Sequence, residues 1–194
     1  MTIDVEFGRE NRNALLLNST SADDYVASRC CFLNGLIGQG YILGEQAIEK
    51  VLKSAILLID KNINVRSKKQ FGIHNIEQLI IHFGSVANVD CQRFFSMAQK
   101  LTEAYELLRY PDNKIKVPGS SYHFTPKFIS EVDEVYIFVA EKLNIPDNVK
   151  YRTGIFRMLF MSSVERTKYW LQLDNSILKS KLRDWNAEFI RFKQ

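Results

Sequence analysis

The sequence predicts an all-α fold, and three observations support this prediction. Apolar residues recur at intervals of three and four along most of the chain, which is the period of a helix that buries one face. The alternation of apolar and polar residues typical of strands is weak everywhere. All four prolines and seven of the nine glycines lie between the apolar segments or near the N-terminus, where helix-breaking residues belong. We therefore expect a bundle of packed helices.

The first two predicted helices meet at a glycine-rich turn. The first helix begins at Ser21, because residues 21–24 have the form of a capping box with acidic residues in the first turn. Three glycines are expected to end it and to open the second helix, at residues 41–61: Gly35, Gly38 and Gly40. The buried stripe of the second helix comprises Ile48, Val51, Leu52, Ala55, Ile56 and Ile59. Its charged residues are expected elsewhere on its surface: Glu45, Glu49, Lys50 and Lys53.

The third predicted helix follows a polar stretch at residues 62–71. It covers residues 76–83 after His74 and Asn75, and we expect Gly84 to stop it. Asn88 is expected to cap the fourth helix.

The fourth predicted helix has an apolar stripe formed by Phe94, Met97, Ala98, Leu101, Ala104, Tyr105 and Leu108. It must end by residues 109–112, because the residue before Pro111 is disfavoured in the helical conformation. Residues 110–124 then form a loop of a length that is often functional or mobile. A threonine and a proline at residues 125–126 start the fifth helix, which runs to about Leu143.

Residues 144–194 are predicted to form a basic helical extension packed on a bundle that covers residues 21–143. The extension contains a long helix at residues 149–171 and a second helix with heptad-like spacing of Leu178, Leu182, Trp185 and Phe189. Ten Lys or Arg and four Asp or Glu lie in residues 150–194, a charge of about +6. This charge favours an anionic partner such as a nucleotide, RNA or an acidic protein surface, although a solvated basic helix face explains it equally well.

The composition excludes several classes of protein. Of the 194 residues, 46% are hydrophobic and 25% charged, which is typical of a folded chain. Apolar runs such as residues 55–59 fall far short of the roughly 20 residues of a transmembrane helix. The N-terminus lacks the basic start of a secretory signal, so we expect a cytoplasmic protein. Three cysteines and three histidines give neither a disulfide framework nor metal-ligand spacing, so no metal site or other cofactor is expected.

Generic enzyme motifs are absent from the sequence, but three strings carry a family resemblance. They are GEQAIEKVLK at residues 44–53, HNIEQL at residues 74–79 and YELLRYPD at residues 105–112. In this order they resemble the HEPN family, named for higher eukaryotes and prokaryotes nucleotide-binding, over about residues 21–143. The resemblance implies an antiparallel bundle of four or five helices, frequent dimerisation, and either nucleotide binding or RNA cleavage. The string RYPD is similar to the branch of the family associated with nucleotide binding or with nucleotidyltransferase partner domains.

The sequence departs from the pattern of many HEPN ribonucleases. These carry an arginine followed, after four to six residues, by a histidine on the fourth helix. Arg109 has no such histidine, and seven residues separate Arg66 from His74 in a predicted loop. A pair of Arg109 and His123 across the loop is a further option. Whether the chain is an enzyme stays open at this point.

The candidate ligand-binding residues are Lys50, Lys53, Tyr105, Arg109 and Asp112. Arg109 can hold a phosphate through its planar guanidinium group or bind Asp112 locally. Lys50 can meet a phosphate as a point charge or remain solvated, and Lys53 has the spacing for a helix ion pair with Glu49. Tyr105 is expected in the core, with a hydroxyl able to orient a polar ligand.

The candidate nucleic-acid-binding residues are Lys181, Arg183 and Arg191 in the extension. Trp185 among them is either a packing anchor or a stacking surface for a base. The leading hypothesis is a non-catalytic HEPN-like protein that binds a nucleotide or RNA and acts as a homodimer or with a partner. A ribonuclease toxin or defence effector with a non-standard active site is one alternative. A structural protein-interaction module is the other.

Overall fold

The computed structural model describes residues 7–60, 63, 75–109 and 128–193. These residues form helices and no strand, so the prediction of an all-α fold is confirmed. The helices are α1 (Arg12–Leu33), α2 (Ile37–Ile59), α3 (Ile76–Ala87), α4 (Phe95–Arg109), α5 (Phe128–Glu141), α6 (Asp147–Lys150), α7 (Gly154–Phe160), α8 (Glu165–Gln172) and α9 (Ser176–Lys193). Apart from Ile63, the predicted polar stretch at residues 62–71 lies outside the described residues, as do the predicted loop and helix start at residues 110–126.

The hairpin of α1 and α2 depends on two glycines. Gly35 ends α1 as predicted, because its φ of +78° lies in the region that glycine adopts without strain. The N–H of Leu36 donates to the carbonyl of Cys31 at 2.8 Å and closes the last turn. Gly40 lies within α2, where a Cβ atom would approach the ring of Phe32 to 2.9 Å. A larger residue at Gly40 would therefore force the two helices apart.

The predicted start of α1 at Ser21 is wrong, since the helix begins at Arg12. Ser21 is fully buried inside the helix. Its hydroxyl donates to the carbonyl of Asn18 at 2.7 Å and lies 3.1 Å from the hydroxyl of Tyr136. A serine that resembles a capping residue in the sequence is thus a core hydroxyl that bonds to the preceding turn of its own helix.

The apolar stripes predicted for the second and fourth helices are confirmed. Those side chains of α2 and α4 that are at most 3% exposed include Ile48, Val51, Leu52, Ala55, Ile56, Met97, Ala98 and Leu101. Ile59 and Leu108, at the ends of the stripes, are partly buried. The described part of α4 reaches Arg109, the last residue described before residue 128, and α5 ends at Glu141, close to the predicted Leu143.

The helix α3 begins as predicted, with the side chain of Asn75 capping its first turn. Its predicted end at Gly84 is wrong, because the helix continues to Ala87. Asn88 has a φ of 53°, and the N–H of Val89 donates to the carbonyl of Gly84 at 3.0 Å, as in a Schellman motif. Asn88 therefore caps the C-terminus of α3. The prediction that it starts the fourth helix is wrong.

The predicted long helix at residues 149–171 is also wrong, because the chain breaks there into α6, α7 and α8. Gly154 starts α7 with a φ of +52°. The side-chain oxygen of Asn18 lies 2.5 Å from the position that a Cβ atom would take on Gly154, so only glycine fits at this approach to α1. The last predicted helix is confirmed as α9, which buries Leu178 and Trp185.

The hydrophobic core is continuous across the predicted division at residue 143. Buried side chains of the C-terminal helices, among them Phe156, Leu171 and Trp185, belong to the same cluster as the buried side chains of α1 to α5. The helices α7 and α8 contact α1, and α9 contacts α5. The C-terminal segment therefore completes the core that the first five helices begin.

A buried ion pair connects α1, α5 and the C-terminal helices. Arg29 and Asp133 are 0% and 2% exposed, and Nη1 of Arg29 bonds to Oδ2 of Asp133. The hydroxyl of Tyr25 donates to the other oxygen of Asp133 at 2.6 Å. Arg29 also donates from Nε to the carbonyl of Trp170 at 2.8 Å, and from Nη2 to the carbonyl of Leu173. These carbonyls lie at the C-terminal end of α8, where the helix dipole favours a cation.

Asn175 extends this network to α9. Its Nδ2 donates to the hydroxyl of Tyr25 at 3.0 Å, and its Oδ1 accepts from the N–H of Leu178 at 2.8 Å. Burial raises the pKa of Asp133, while the charge of Arg29 and the hydrogen bonds from Arg29 and Tyr25 oppose this rise. Hydrogen bonds on both charged partners are the condition under which a buried ion pair is tolerated.

Replacing Arg29 with methionine should lower the free energy of unfolding by about 3–5 kcal/mol, because the carboxylate of Asp133 would stay buried without its cation. Urea denaturation measures this loss. Arg183→Met is the matched control: its side chain is 92% exposed, so its replacement should change stability by no more than about 0.5 kcal/mol. The double variant Arg29→Met with Asp133→Leu should regain part of the loss. Equal stability of Arg29→Met and wild type would contradict this account.

Candidate functional site

Three charged residues of α2 lie on one stripe because they are spaced four residues apart. They are Glu45, Glu49 and Lys53, and the stripe lies on a helix that packs against α4. Nζ of Lys53 lies 2.6 Å from Oε1 of Glu49, so the predicted ion pair forms. The pair is largely buried, with side chains 11% and 13% exposed. It is thus more enclosed than a surface ion pair of a solvated helix.

The last turn of α4 adds an aromatic ring and a guanidinium group. Cζ of Arg109 lies 5.1 Å from the ring centroid of Tyr105, within the range of a cation–π contact. Tyr105 is 8% exposed, as expected for a core residue, whereas Arg109 is exposed. The positive charge of Arg109 also acts on the carboxyl group of Glu45. We call Glu45, Glu49, Lys53, Tyr105 and Arg109 the charge cluster.

Glu45 is the residue with the most altered chemistry in the charge cluster. It is 1% exposed, and within the described part of the chain its Oε1 has no hydrogen-bond partner. Burial raises the pKa of Glu45 to about 8, with further contributions from the charge of Glu49 and from a hydrogen bond to it. Lys53 and Arg109 oppose this rise. Near neutral pH, Glu45 is therefore mostly protonated, and the positive charges of Lys53 and Arg109 both act on its carboxyl group.

Glu45 belongs to the charge cluster, although the sequence did not predict it as a site residue. Placing this residue on the surface of α2 was wrong, because its side chain is buried. The available signal was the four-residue spacing from Glu45 through Glu49 to Lys53, which puts all three on one side of a helix. Nothing in that spacing shows which side α4 covers.

The other candidate ligand-binding residues do not join the charge cluster among the described residues. Nζ of Lys50 lies 2.5 Å from Oδ2 of Asp24, so this lysine pairs with a residue of α1. Asp112, His74 and His123 lie outside the described residues. Of the five predicted positions, the structure thus brings together Lys53, Tyr105 and Arg109.

The predicted nucleic-acid-binding residues do not form one surface. Nζ of Lys181 lies 2.9 Å from Oε1 of Glu141, on α5. At 3.6 residues per turn, Lys181 and Arg183 are about 160° apart around α9, and Arg191 lies about 80° from each of them. Trp185 is 5% exposed and packs on the ring of a buried phenylalanine, so it is a packing anchor and not a stacking surface.

Two further features concern metal and membrane. Among the described residues, no group of three or more His, Cys, Asp or Glu side chains is arranged to hold a metal ion. None of the helices in the described ranges combines the length and the hydropathy needed to cross a bilayer.

Comparisons of the chain with protein-family models, with curated proteins and with solved structures found no match. The HEPN resemblance therefore depends on the three sequence strings alone.

Glu45 makes stability depend on pH. Its pKa is about 8 in the folded protein against 4.5 for an ordinary glutamate, so the folded state binds a proton that the unfolded state releases between these values. Stability should fall as pH rises from about 5 to about 8, by on the order of 3 kcal/mol. Urea denaturation at pH 5, 6.5 and 8 measures the slope.

The matched variant for this prediction is Glu45→Gln, which keeps the shape of the side chain and cannot ionise. Its stability should change less with pH than that of the wild type, and it should be the more stable protein at pH 8. Identical slopes for the two proteins would mean that Glu45 does not titrate as described.

Proposed function

We propose that this protein is HEPN-like, that it binds a phosphate-bearing ligand, a nucleotide or RNA, at the charge cluster, and that it does so without catalysis. The observation that carries the proposal is the convergence of Lys53 and Arg109 on Glu45: both positive charges act on a carboxyl group that burial keeps mostly protonated. Near neutral pH, Lys53 and Arg109 thus bring two positive charges beside a carboxyl group that carries little negative charge. Assembly as a homodimer or with a nucleotidyltransferase-type partner is a further part of this proposal, taken from the family resemblance.

Arg109 and Lys53 suit a phosphate in different ways. A guanidinium group offers two parallel N–H donors to two phosphate oxygens, and the ring of Tyr105 restricts the orientation of that group. Lys53 supplies a compact charge from a neighbouring helix. Because α2 and α4 are held by the core, the two cations are positioned before a ligand arrives.

Replacing Arg109 with glutamine should weaken binding by about 1.5–3 kcal/mol, the usual contribution of a hydrogen bond to a charged group. Calorimetry with AMP and with a short RNA, at low salt, measures the change. Arg12→Gln, an exposed residue of α1, is the matched control and should bind like the wild type. Binding should also weaken as pH rises through about 8, because ionised Glu45 adds a negative charge beside Lys53 and Arg109. No binding of either ligand by the wild type would refute the proposal.

The C-terminal helix gives a separate prediction for RNA. Arg183 and Arg191 are both exposed on α9, so replacing both with glutamine should lower the slope of log affinity against log salt by about 1.4, or about 0.7 for each lost phosphate contact. Lys181→Gln is the comparison and should leave the slope nearly unchanged, since Lys181 pairs with Glu141. Filter binding at several salt concentrations gives the slopes, and equal slopes for all proteins would exclude α9 as an RNA surface.

RNA cleavage is a second candidate function, and the protonation of Glu45 favours it. A carboxyl group that gains and loses a proton near neutral pH, next to two cations, has the chemistry of a general acid or base at a phosphodiester. Since Glu45 is 1% exposed, this function also requires that the ligand opens the cluster. Cleavage of a labelled RNA by the wild type, lost in Glu45→Gln, would support this candidate over binding alone.

A further inference from the structure

A cleft between α1 and the C-terminal helices lies apart from the residues of the charge cluster. Its volume is about 470 Å³, within the usual range for sites that bind small molecules. The residues that line it are Asp23, Arg152, Arg157, Met158, Met161, Ser162, Ser163, Val164 and Thr167. None of them was a candidate in the sequence, because they come from separate parts of the chain and form no recognisable motif.

Two arginines give the cleft its charge. Arg152 precedes α7 and Arg157 lies on it, and both side chains are exposed. Neither forms an ion pair or a side-chain hydrogen bond with any other residue in the described ranges. By contrast, Lys50 and Lys150 each pair with a carboxylate. The cleft thus holds two guanidinium groups whose donors are available to an anion.

Hydroxyl groups add neutral donors to the same wall. Ser162 Oγ accepts from the N–H of Val164 at 3.1 Å, which leaves its own O–H able to donate to a ligand. Ser163 and Thr167 also line the cleft. Met161 and Val164 are 53% and 55% exposed, and they offer apolar area for a less polar part of the same ligand.

Asp23 limits the kind of ligand that fits. It is the acidic residue among those that line the cleft, and it comes from α1 rather than from the C-terminal helices. A carboxylate repels phosphate and accepts hydrogen bonds from hydroxyl or amino groups. The lining therefore favours a ligand that carries both an anionic group for the arginines and a hydrogen-bond donor for Asp23.

We propose that this cleft is a second ligand site, which binds a small phosphate monoester of nucleotide size. The phosphate lies between Arg152 and Arg157, the hydroxyls of Ser162 and Ser163 donate to its oxygens, and Asp23 accepts from hydroxyl or amino groups of the ligand. This site is lined by residues of α1, α7, α8 and the segments next to them. It shares no residue with the charge cluster on α2 and α4, so the two sites can be tested separately.

Calorimetry at low salt with AMP, inorganic phosphate and adenosine tests the assignment. We expect AMP and phosphate to bind and adenosine to bind much more weakly. Arg152→Gln and Arg157→Gln should each weaken AMP binding at this site about tenfold or more. Asp23→Asn should have the opposite effect on inorganic phosphate, tightening its binding about twofold to fivefold because a repelling charge is removed. Circular dichroism of each variant confirms that the helices are retained.

Variants of each site, with Arg12→Gln as the control, separate binding in this cleft from binding at the charge cluster. Arg12→Gln should bind AMP like the wild type. If both sites bind, the wild type gives two binding events, and Arg109→Gln removes one while Arg152→Gln removes the other. Loss of all AMP binding in Arg109→Gln, with none lost in the cleft variants, would overturn the second site and leave the charge cluster intact. Binding of adenosine as tight as that of AMP, or no binding of AMP and phosphate, would also overturn it.

Discussion

The packing of the C-terminal helices on the rest of the protein depends on the buried ion pair of Arg29 and Asp133. Removing two charges from water is costly, and their mutual attraction alone does not offset the cost. Here the guanidinium group also bonds to two carbonyls at the end of α8, and the carboxylate also accepts from Tyr25. The remaining donors of Arg29 on α1 are thus satisfied by the C-terminal segment, which has to lie in one place for the network to close.

This dependence explains why the basic segment is part of the core rather than a loosely attached tail. Leu171 and Leu178, on either side of the network, are fully buried in the same hydrophobic cluster as the first five helices. The hydrogen bonds fix the orientation of the C-terminal segment, because donors and acceptors must align. The burial of apolar side chains supplies most of the free energy of its packing. The cleft lined by Arg152 and Arg157 lies on this same segment, so the ordering of the segment also positions the two arginines.

Helical periodicity predicted the all-α fold well, but it predicted the ends of the individual helices less well. The stripes of α2 and α4 were readable because long runs of Ile, Val, Leu and Ala keep a period of 3.6 residues. Ser21, Asn88 and Gly154 were misjudged for one shared physical reason. A serine can cap a helix or pack inside one, and an asparagine can start a helix or end one. A glycine can be tolerated within a helix or can break it. The surrounding structure, and not the residue type, decides between these outcomes. Gly154 breaks its helix where the side chain of Asn18 leaves no room for a Cβ atom.

The candidate site, too, was predicted where residue type and local pattern suffice and was missed where the packing of separate helices decides. Lys53, Tyr105 and Arg109 were found by residue type and by family resemblance, and their helices place them together. Glu45 was missed because its burial depends on how α2 meets α4, which a single helix pattern does not contain. Arg152 and Arg157 carry no local signal at all: their cleft exists because α1 passes the start of α7 and α8.

The acceptors of Arg29 have a consequence for how the chain folds during synthesis. Trp170 and Leu173 are 141 and 144 residues further along the chain, so α1 leaves the ribosome long before the groups that satisfy its guanidinium. Until then the arginine has to stay hydrated, and the hairpin of α1 and α2 cannot fully dehydrate the face that carries it. Contacts of such long sequence separation slow folding, because a large loop must close before they form. The final compaction of the first helix therefore waits until residues 170–173 have been made and have reached it.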